Sequence, residues 1–436
     1  MRKILFVIFL LLSTNALAAR SNTEWSLHLD TKLDVTYFPE VYGEDTNQEF
    51  YKLELDPIYN WKYKDFFRFY LKPTFIADPN NKSDEEKYFF DLSEAYIRYQ
   101  TESFSIKAGN NIFTWGVTDG YNPLDVINSR QYFDPLHSRK LGATSLVYAH
   151  TFDNWDLEAV YIPKNRGSTM PGPQSRWLPR EVFVPETPDN DIVLLLPKTL
   201  RYSYTSRQDL DHALDNNAAL RIQRRGSFID LGLTYFEGVA SFPLVQPMVT
   251  GTIVQVSPKT VVQVDPDVVL NTKNYRIRQG GFTFVSNQWD FLFKYATAYT
   301  QSLGDDKNLP GWTHENVLGF EKTFNIGSDA VLIAILQHSF ISSERENDSN
   351  LSYTEIFRRA WMLGGRMTWK EVWNFSLLGL YDQIHGSNYE EVTLGRRFFD
   401  AWLVSLTASL IQGPSDTPLG VYEKNDSYTL SVSRSF

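Results

Sequence analysis

The ten residues Ser427-Tyr-Thr-Leu-Ser-Val-Ser-Arg-Ser-Phe436 alternate over most of their length. Tyr428, Leu430, Val432 and Phe436 fall on one face of an extended chain, and Ser427, Thr429, Ser431, Ser433 and Ser435 on the other, because successive strand side chains point to opposite sides. The stretch reads as a strand with one apolar and one wet face. The design recurs upstream. Trp25, Leu27, Leu29, Leu33, Val35 and Tyr37 share a parity, with His28, Asp30, Lys32, Asp34 and Thr36 between them. Trp289, Phe291, Phe293, Tyr295 and Tyr299 repeat it, as do Trp402, Val404, Leu406, Ala408 and Leu410. These runs exceed the roughly 5 to 6 residues of a typical globular strand and suffice for the ~9 to 11 that a tilted bilayer crossing needs. A soluble all-β protein has no use for apolar parity on nearly every strand.

The front of the chain agrees. Arg2 and Lys3, the apolar run Ile4 to Leu12 and Ala16-Leu17-Ala18 have the layout of an export signal, so residues 1–18 are expected to be a signal peptide and 19–436 one barrel domain. A strand closing on an aromatic residue behind such a signal resembles the terminal strand of bacterial outer-membrane β-barrels. That resemblance implies that Phe436 is an assembly signal read by the barrel-assembly machinery, and that the protein sits in outer-membrane lipid. With no cysteine, lipidation of an N-terminal Cys and a disulfide framework are both excluded.

Composition narrows the class further. No stretch beyond the signal approaches the roughly 20 apolar residues of a helical span. Aromatics nevertheless make up 15% and charged residues 22% of the chain, as expected when a lipid-facing belt alternates with a wet lumen. Without the signal, 40 basic residues face 52 acidic ones, so a whole-surface polyanion partner such as nucleic acid is not expected.

Alternating segments and turn signals give about 18 strands of an antiparallel up-and-down transmembrane barrel, with 16 as the alternative. Short connections at Gln100 to Glu102, Asp153-Asn154, Gly226-Ser227, Asn287-Gln288 and Lys370-Glu371 alternate with long ones at 38–47, 77–87, 111–140, 163–215, 238–273, 301–310, 341–352 and 412–425. Only the short 384–386 connection departs from this rhythm.

The third long connection carries the strongest functional signal. It mixes Trp115, Tyr121, Tyr132 and Phe133 with Asp119, Asp125, Asp134, Arg130, Arg139 and Lys140. Rings in that number favour packing against an inner wall over projecting into water. The loop is therefore expected to fold inward and constrict the pore, with Trp115, Asp119, Asn122, Asp125, Arg130 and Arg139 at the constriction. The alternative is that Asn122-Pro123 and Asp134-Pro135 merely form turns. The run W-G-x-x-D-x-x-N-P-x-D, after Lys107-Ala108-Gly109, resembles a motif of a mostly uncharacterised set of proteobacterial outer-membrane barrels related to alginate-export porins. The likeness spans residues 88–165 and implies fold and location.

Strand parity also sorts charges. If Ala95, Ile97 and Tyr99 face lipid, Glu94 and Arg98 face the lumen. The same rule places Lys107, Arg221, Arg276, Arg278, Arg358, Arg366 and Arg397 inside, with Asp30, Asp34 and Glu391. Clustered arginines facing a few carboxylates orient polar solutes and favour anions. The alternative is that these charges pair and simply hydrate the lumen. Loop 163–215 adds Arg166, Arg176, Arg180, Arg201 and Arg207, suited to capping the mouth or to binding lipopolysaccharide phosphates.

No G-x-S-x-G, H-E-x-x-H or Walker A motif occurs, and the seven histidines lack ligand spacing, so neither an enzyme nor a metal or other cofactor is expected. Three function classes follow: a porin for small polar or anionic solutes, a plugged structural or adhesive surface barrel, and, lowest, a barrel enzyme built from residues on different strands.

Overall fold

The computed structural model describes residues 23–41, 47–180, 192–195, 197, 199–257, 259–344, 353–399 and 401–436; the expected export signal, residues 1–18, lies outside them. Eighteen antiparallel strands form one closed barrel. In chain order they are β1 (Thr23–Tyr37), β2 (Glu49–Tyr63), β3 (Phe67–Ala77), β4 (Tyr88–Gln100), β5 (Phe104–Asn111), β6 (Ala143–Phe152), β7 (Trp155–Lys164), β8 (Asp215–Arg224) and β9 (Ile229–Val239). The second half comprises β10 (Arg276–Gln288), β11 (Phe291–Leu303), β12 (Trp312–Ile326), β13 (Ala330–Ser343), β14 (Arg359–Trp369), β15 (Trp373–Asp382), β16 (Ser387–Phe398), β17 (Trp402–Gln412) and β18 (Ser427–Ser435).

Closure follows from the alternation of the last strand. β18 pairs with β1 from Asp30↔Ser435 to Tyr37↔Tyr428, and the ladder extends to Phe436, whose N–H donates to Leu29 O at 3.1 Å. Ser431 points inward to hydrogen-bond Asp34 while Leu430 stands exposed on the outside. Outward leucines and aromatics such as Leu233, Leu318, Leu363 and Leu406 form the lipid-facing belt. No helix among the described residues is long and apolar enough to cross a membrane.

Tight turns set the register at one end. Trp289-Asp290 and Lys370-Glu371 both hold positive φ at two successive residues, the turn whose twist matches paired strands. In β4 a bulge at Ser93 accommodates Pro73 of β3, so that Asp91 and Ser93 above it and Glu94 and Arg98 below it all face the lumen.

Two long connections differ from expectation. Residues 244–274 form a hairpin, Leu244–Gln255 against Thr260–Asn274, and the second strand also pairs in parallel with Ile192–Leu195 and Arg201–Tyr204. The β-branched run Val261, Val262, Val264, Val268 and Val269 favours this sheet over a loop. The stretch expected to begin a strand at 353 starts instead with a 3-10 turn, Tyr353–Phe357, that tucks Ile356 and Phe357 inward before β14.

Candidate functional site: the divided lumen

The third loop, 112–142, folds into the barrel. Phe113, Trp115 and Ile127 are buried against Val147, Val160, Ala219, Phe236 and Ile277, so the inner wall of β6 to β10 is apolar where the loop covers it. Asn128 fixes the loop's base, accepting from Phe113 N–H and donating to the carbonyls of Asn111 and Leu141. Asn122 closes the tip, donating to Trp115 O at 2.6 Å and accepting from Leu124 N–H.

From there the loop crosses the lumen. Gln337 of β13 accepts from the N–H groups of Asp119 and Gly120 and donates to Tyr121 O. Tyr121 stacks on Phe357 at 4.4 Å, Lys294 of β11 reaches Asp119 at 2.7 Å, and Gln279 of β10 donates to Pro123 O. On the return leg Arg139 pairs with Glu54 of β2. His137 lies 2.8 Å from both Asp134 and Glu391 of β16. Desolvation opposes charge on His137, but the two flanking carboxylates prevail and push its pKa up to about 10.

The loop thereby divides the lumen. A cavity of about 540 Å³ lies between it and β10 to β12, lined by Asp119, Asp125, Arg130, Lys140 and Glu315 among others. A second, of about 430 Å³, lies between it and β16 to β18, β1 and β2, lined by Lys32, Lys52, His137, Arg139 and Glu391. Asp119, Asn122, Asp125 and Arg130 thus line the first cavity and Arg139 the second. Trp115 lines neither; it is packed in the wall beneath Arg221, whose guanidinium sits 5.3 Å from its ring.

Loop arginines are mostly paired. Asp125 binds both Arg130 and Lys140, at 2.6 and 2.7 Å. Arg176 and Arg180 are buried and donate to backbone carbonyls of Glu40, Lys424, Pro173 and Leu200, while Arg166 pairs with Asp91. These three tie the extracellular connections together over the mouth.

The lumenal wall of β2 to β5 is different. Lys62, Arg68, Arg98 and Lys107 stand directly opposite one another on four adjacent strands. Arg68 donates to Asn60 at 2.7 Å, Arg98 reaches Ser105, and Lys107 lies 4.8 Å from the Tyr96 ring. None of the four forms an ion pair within 4.0 Å among the described residues. Like charges in register repel, and the inward Glu94 and Glu158 offset this in part by acting electrostatically on Lys107. Glu94 and Arg221 also face inward, the latter paired with Glu158. Arg366 shares the inward parity of Met362, and Arg358 is held at the mouth by Glu355 and Ser343.

Arg276 and Arg278 are a correction. They point out of the barrel, where both bind Glu237 beside the exposed Tyr235, while Ile277 and Gln279 face the loop. The inward loop reverses the apolar-outside rule there: Ile277 is buried by protein, not by lipid. Lys62 and Arg68 were missed, although Phe67, Phe69 and Leu71 give Arg68 the lumenal parity.

Neither a family model nor a curated protein matches this sequence. Solved structures do match along nearly all of it. The outer membrane protein OpdK of Pseudomonas aeruginosa covers 95% of this chain and 99% of its own, at 10% identity and a TM-score of 0.51. OccK3 (OpdO) of the same organism covers 95% of each chain at 10% identity and 0.48, and OmpF of Salmonella typhi 95% and 98% at 8% and 0.44. The OpdK likeness is one of fold, and with the closed barrel and its lipid-facing belt it makes this chain a transmembrane β-barrel of the outer membrane.

Proposed function

We propose that the protein is a passive channel for small polar solutes that favours anions. The observation carrying this reading is the row Lys62, Arg68, Arg98 and Lys107, four cations in register without an ion-pair partner among the described residues. Charges on a low-dielectric wall act on a passing ion more strongly than they would in bulk water. The dividing loop narrows the path above the row and presents Asp119, Asp125, Arg130 and Arg139 on its two sides.

A second reading has its own observation. The loop touches the wall at β2, β10, β11, β13 and β16, which is the anchoring a plug needs. Planar-bilayer recording under a KCl gradient separates the two. The channel reading expects stable open steps and a zero-current potential on the chloride side. Silent membranes, despite folded protein, favour the plug; cation preference contradicts the anion reading.

A further inference from the structure

Two prolines break the barrel wall at mid-height. Leu29 exchanges both backbone hydrogen bonds with Phe436 of the closing strand, at 3.1 and 3.3 Å, so its polar groups point away from β2. Leu29 stands opposite Pro57, and in an antiparallel ladder a residue bonded on one side leaves its opposite neighbour facing the other way. The backbone of Pro57 therefore faces β3. There the register pairs Leu55 with Phe75 and Tyr59 with Leu71, which sets Pro57 directly across from Pro73, and the pairing lapses between those rungs. A bonded pair exchanges two N–H···O bonds, and prolines have neither donor. The seam is left without rungs for roughly 13 Å of strand, and neither proline carbonyl finds an N–H on the proline across from it.

The surroundings of the gap are sided. On the lipid face, a groove of about 310 Å³ lined by Leu53, Leu55, Phe75 and Phe90 lies above it. Another of about 460 Å³, lined by Tyr59, Trp61, Phe67 and Ile97, lies below. On the lumenal face Asp56 has a buried carboxyl oxygen with no hydrogen-bond partner. Lys72 makes no ion pair within 4.0 Å among the described residues, and Arg68 lies on the same strand toward the cationic row. Lys72 and Arg68, with Lys62, Arg98 and Lys107 beyond them, outnumber Asp56, its cross-strand neighbour Asp30 and Glu94 on this face, and apolar grooves lie outside, which suits a molecule with an anionic head and one aliphatic tail.

We propose that the β2–β3 seam is a lateral portal through which a single-chain anionic amphiphile passes between lumen and bilayer. This goes beyond axial diffusion and uses a different part of the wall. The test uses phosphatidylcholine vesicles holding the full-length protein and a fluorophore-labelled dodecyl sulfonate, whose permanent charge makes unaided crossing slow. Albumin outside, too large for the lumen, extracts the probe from the outer leaflet and then at the rate the inner-leaflet probe crosses. The protein is expected to speed that second phase at least ten-fold. Asp56→Cys with Thr74→Cys places two thiols at an opposed inward pair; the oxidised form should lose the acceleration, regain it on reduction, and keep its KCl conductance throughout. Pro57→Val with Pro73→Val restores both donors and should lose the acceleration without any cross-link. A wild-type rate equal to that of empty vesicles, or acceleration that survives both the cross-link and the proline replacements, overturns the portal. Loss of conductance alone bears only on the channel.

Discussion

The two sides of the lumen were built by opposite rules. From β6 to β10 the inner wall is apolar, with Val147, Val160, Phe236 and Ile277 buried under Phe113, Trp115 and Ile127 of the third loop. From β2 to β5 it is polar and carries a cationic row, with Lys62, Arg68, Arg98 and Lys107 in register and Glu94 beside them. Outward faces look alike on both sides because the same lipid covers them. The contrast shows that inner residue type is set by what occupies the lumen at each position: protein on one side, solvent and solute on the other.

The largest expected effect comes from uncovering the apolar wall. Trp115→Ala should cost about 3 to 5 kcal/mol, the range for removing a large buried aromatic, read as a lowered urea midpoint with raised conductance. If conductance and midpoint both hold, the loop is not anchored where described. Gln337→Leu is expected to cost less, about 1 to 3 kcal/mol, because it leaves two loop N–H groups and one carbonyl without their partner. Its signature is flickering single-channel current; a quiet trace removes Gln337 as a clamp.

His137 supplies a pH prediction. Its folded pKa of about 10 lies above its ordinary value, so its stabilisation is fully present below about 6.5 and is lost as pH rises through about 10. Current should be steady from pH 6 to 8 and turn noisy near pH 10, and His137→Gln should be noisy at every pH. The smallest effect is assigned to Arg276→Gln with Arg278→Gln. Both side chains face outward, so ion selectivity should be unchanged; a shift in zero-current potential would return them to the lumen.

How much of this was legible in the sequence follows from the same contrast. All eighteen barrel strands and the inward third loop are readable, because lipid imposes a uniform demand on one face and turns punctuate the chain. Glu94, Arg98, Lys107, Arg221 and Arg366 share the inward parity of their strands, where the inner wall is not covered by apolar loop residues. Parity failed at Arg276 and Arg278, where Ile277 is apolar for the loop's sake. Parity also cannot show pairing. Arg130 and Arg139, expected to act on solutes, share Asp125 and Glu54 respectively, whereas Lys62 and Arg68 are distinguished only by the cross-strand register that sets them beside Arg98. The extracellular hairpin 244–274 was hidden because its residues alternate for contact with other loop strands and not for a barrel.

The zero-current potential of Arg68→Glu with Arg98→Glu, beside that of Arg130→Gln with Arg139→Gln, tests the central claim most directly. Bilayers under a KCl gradient should show anion preference in the parent, reversal to cation preference in the first variant, and only a minor shift in the second, whose arginines are already neutralised by partners. Equal potentials in parent and Arg68→Glu/Arg98→Glu, with the barrel folded and conducting, would contradict a selectivity set by the cationic row.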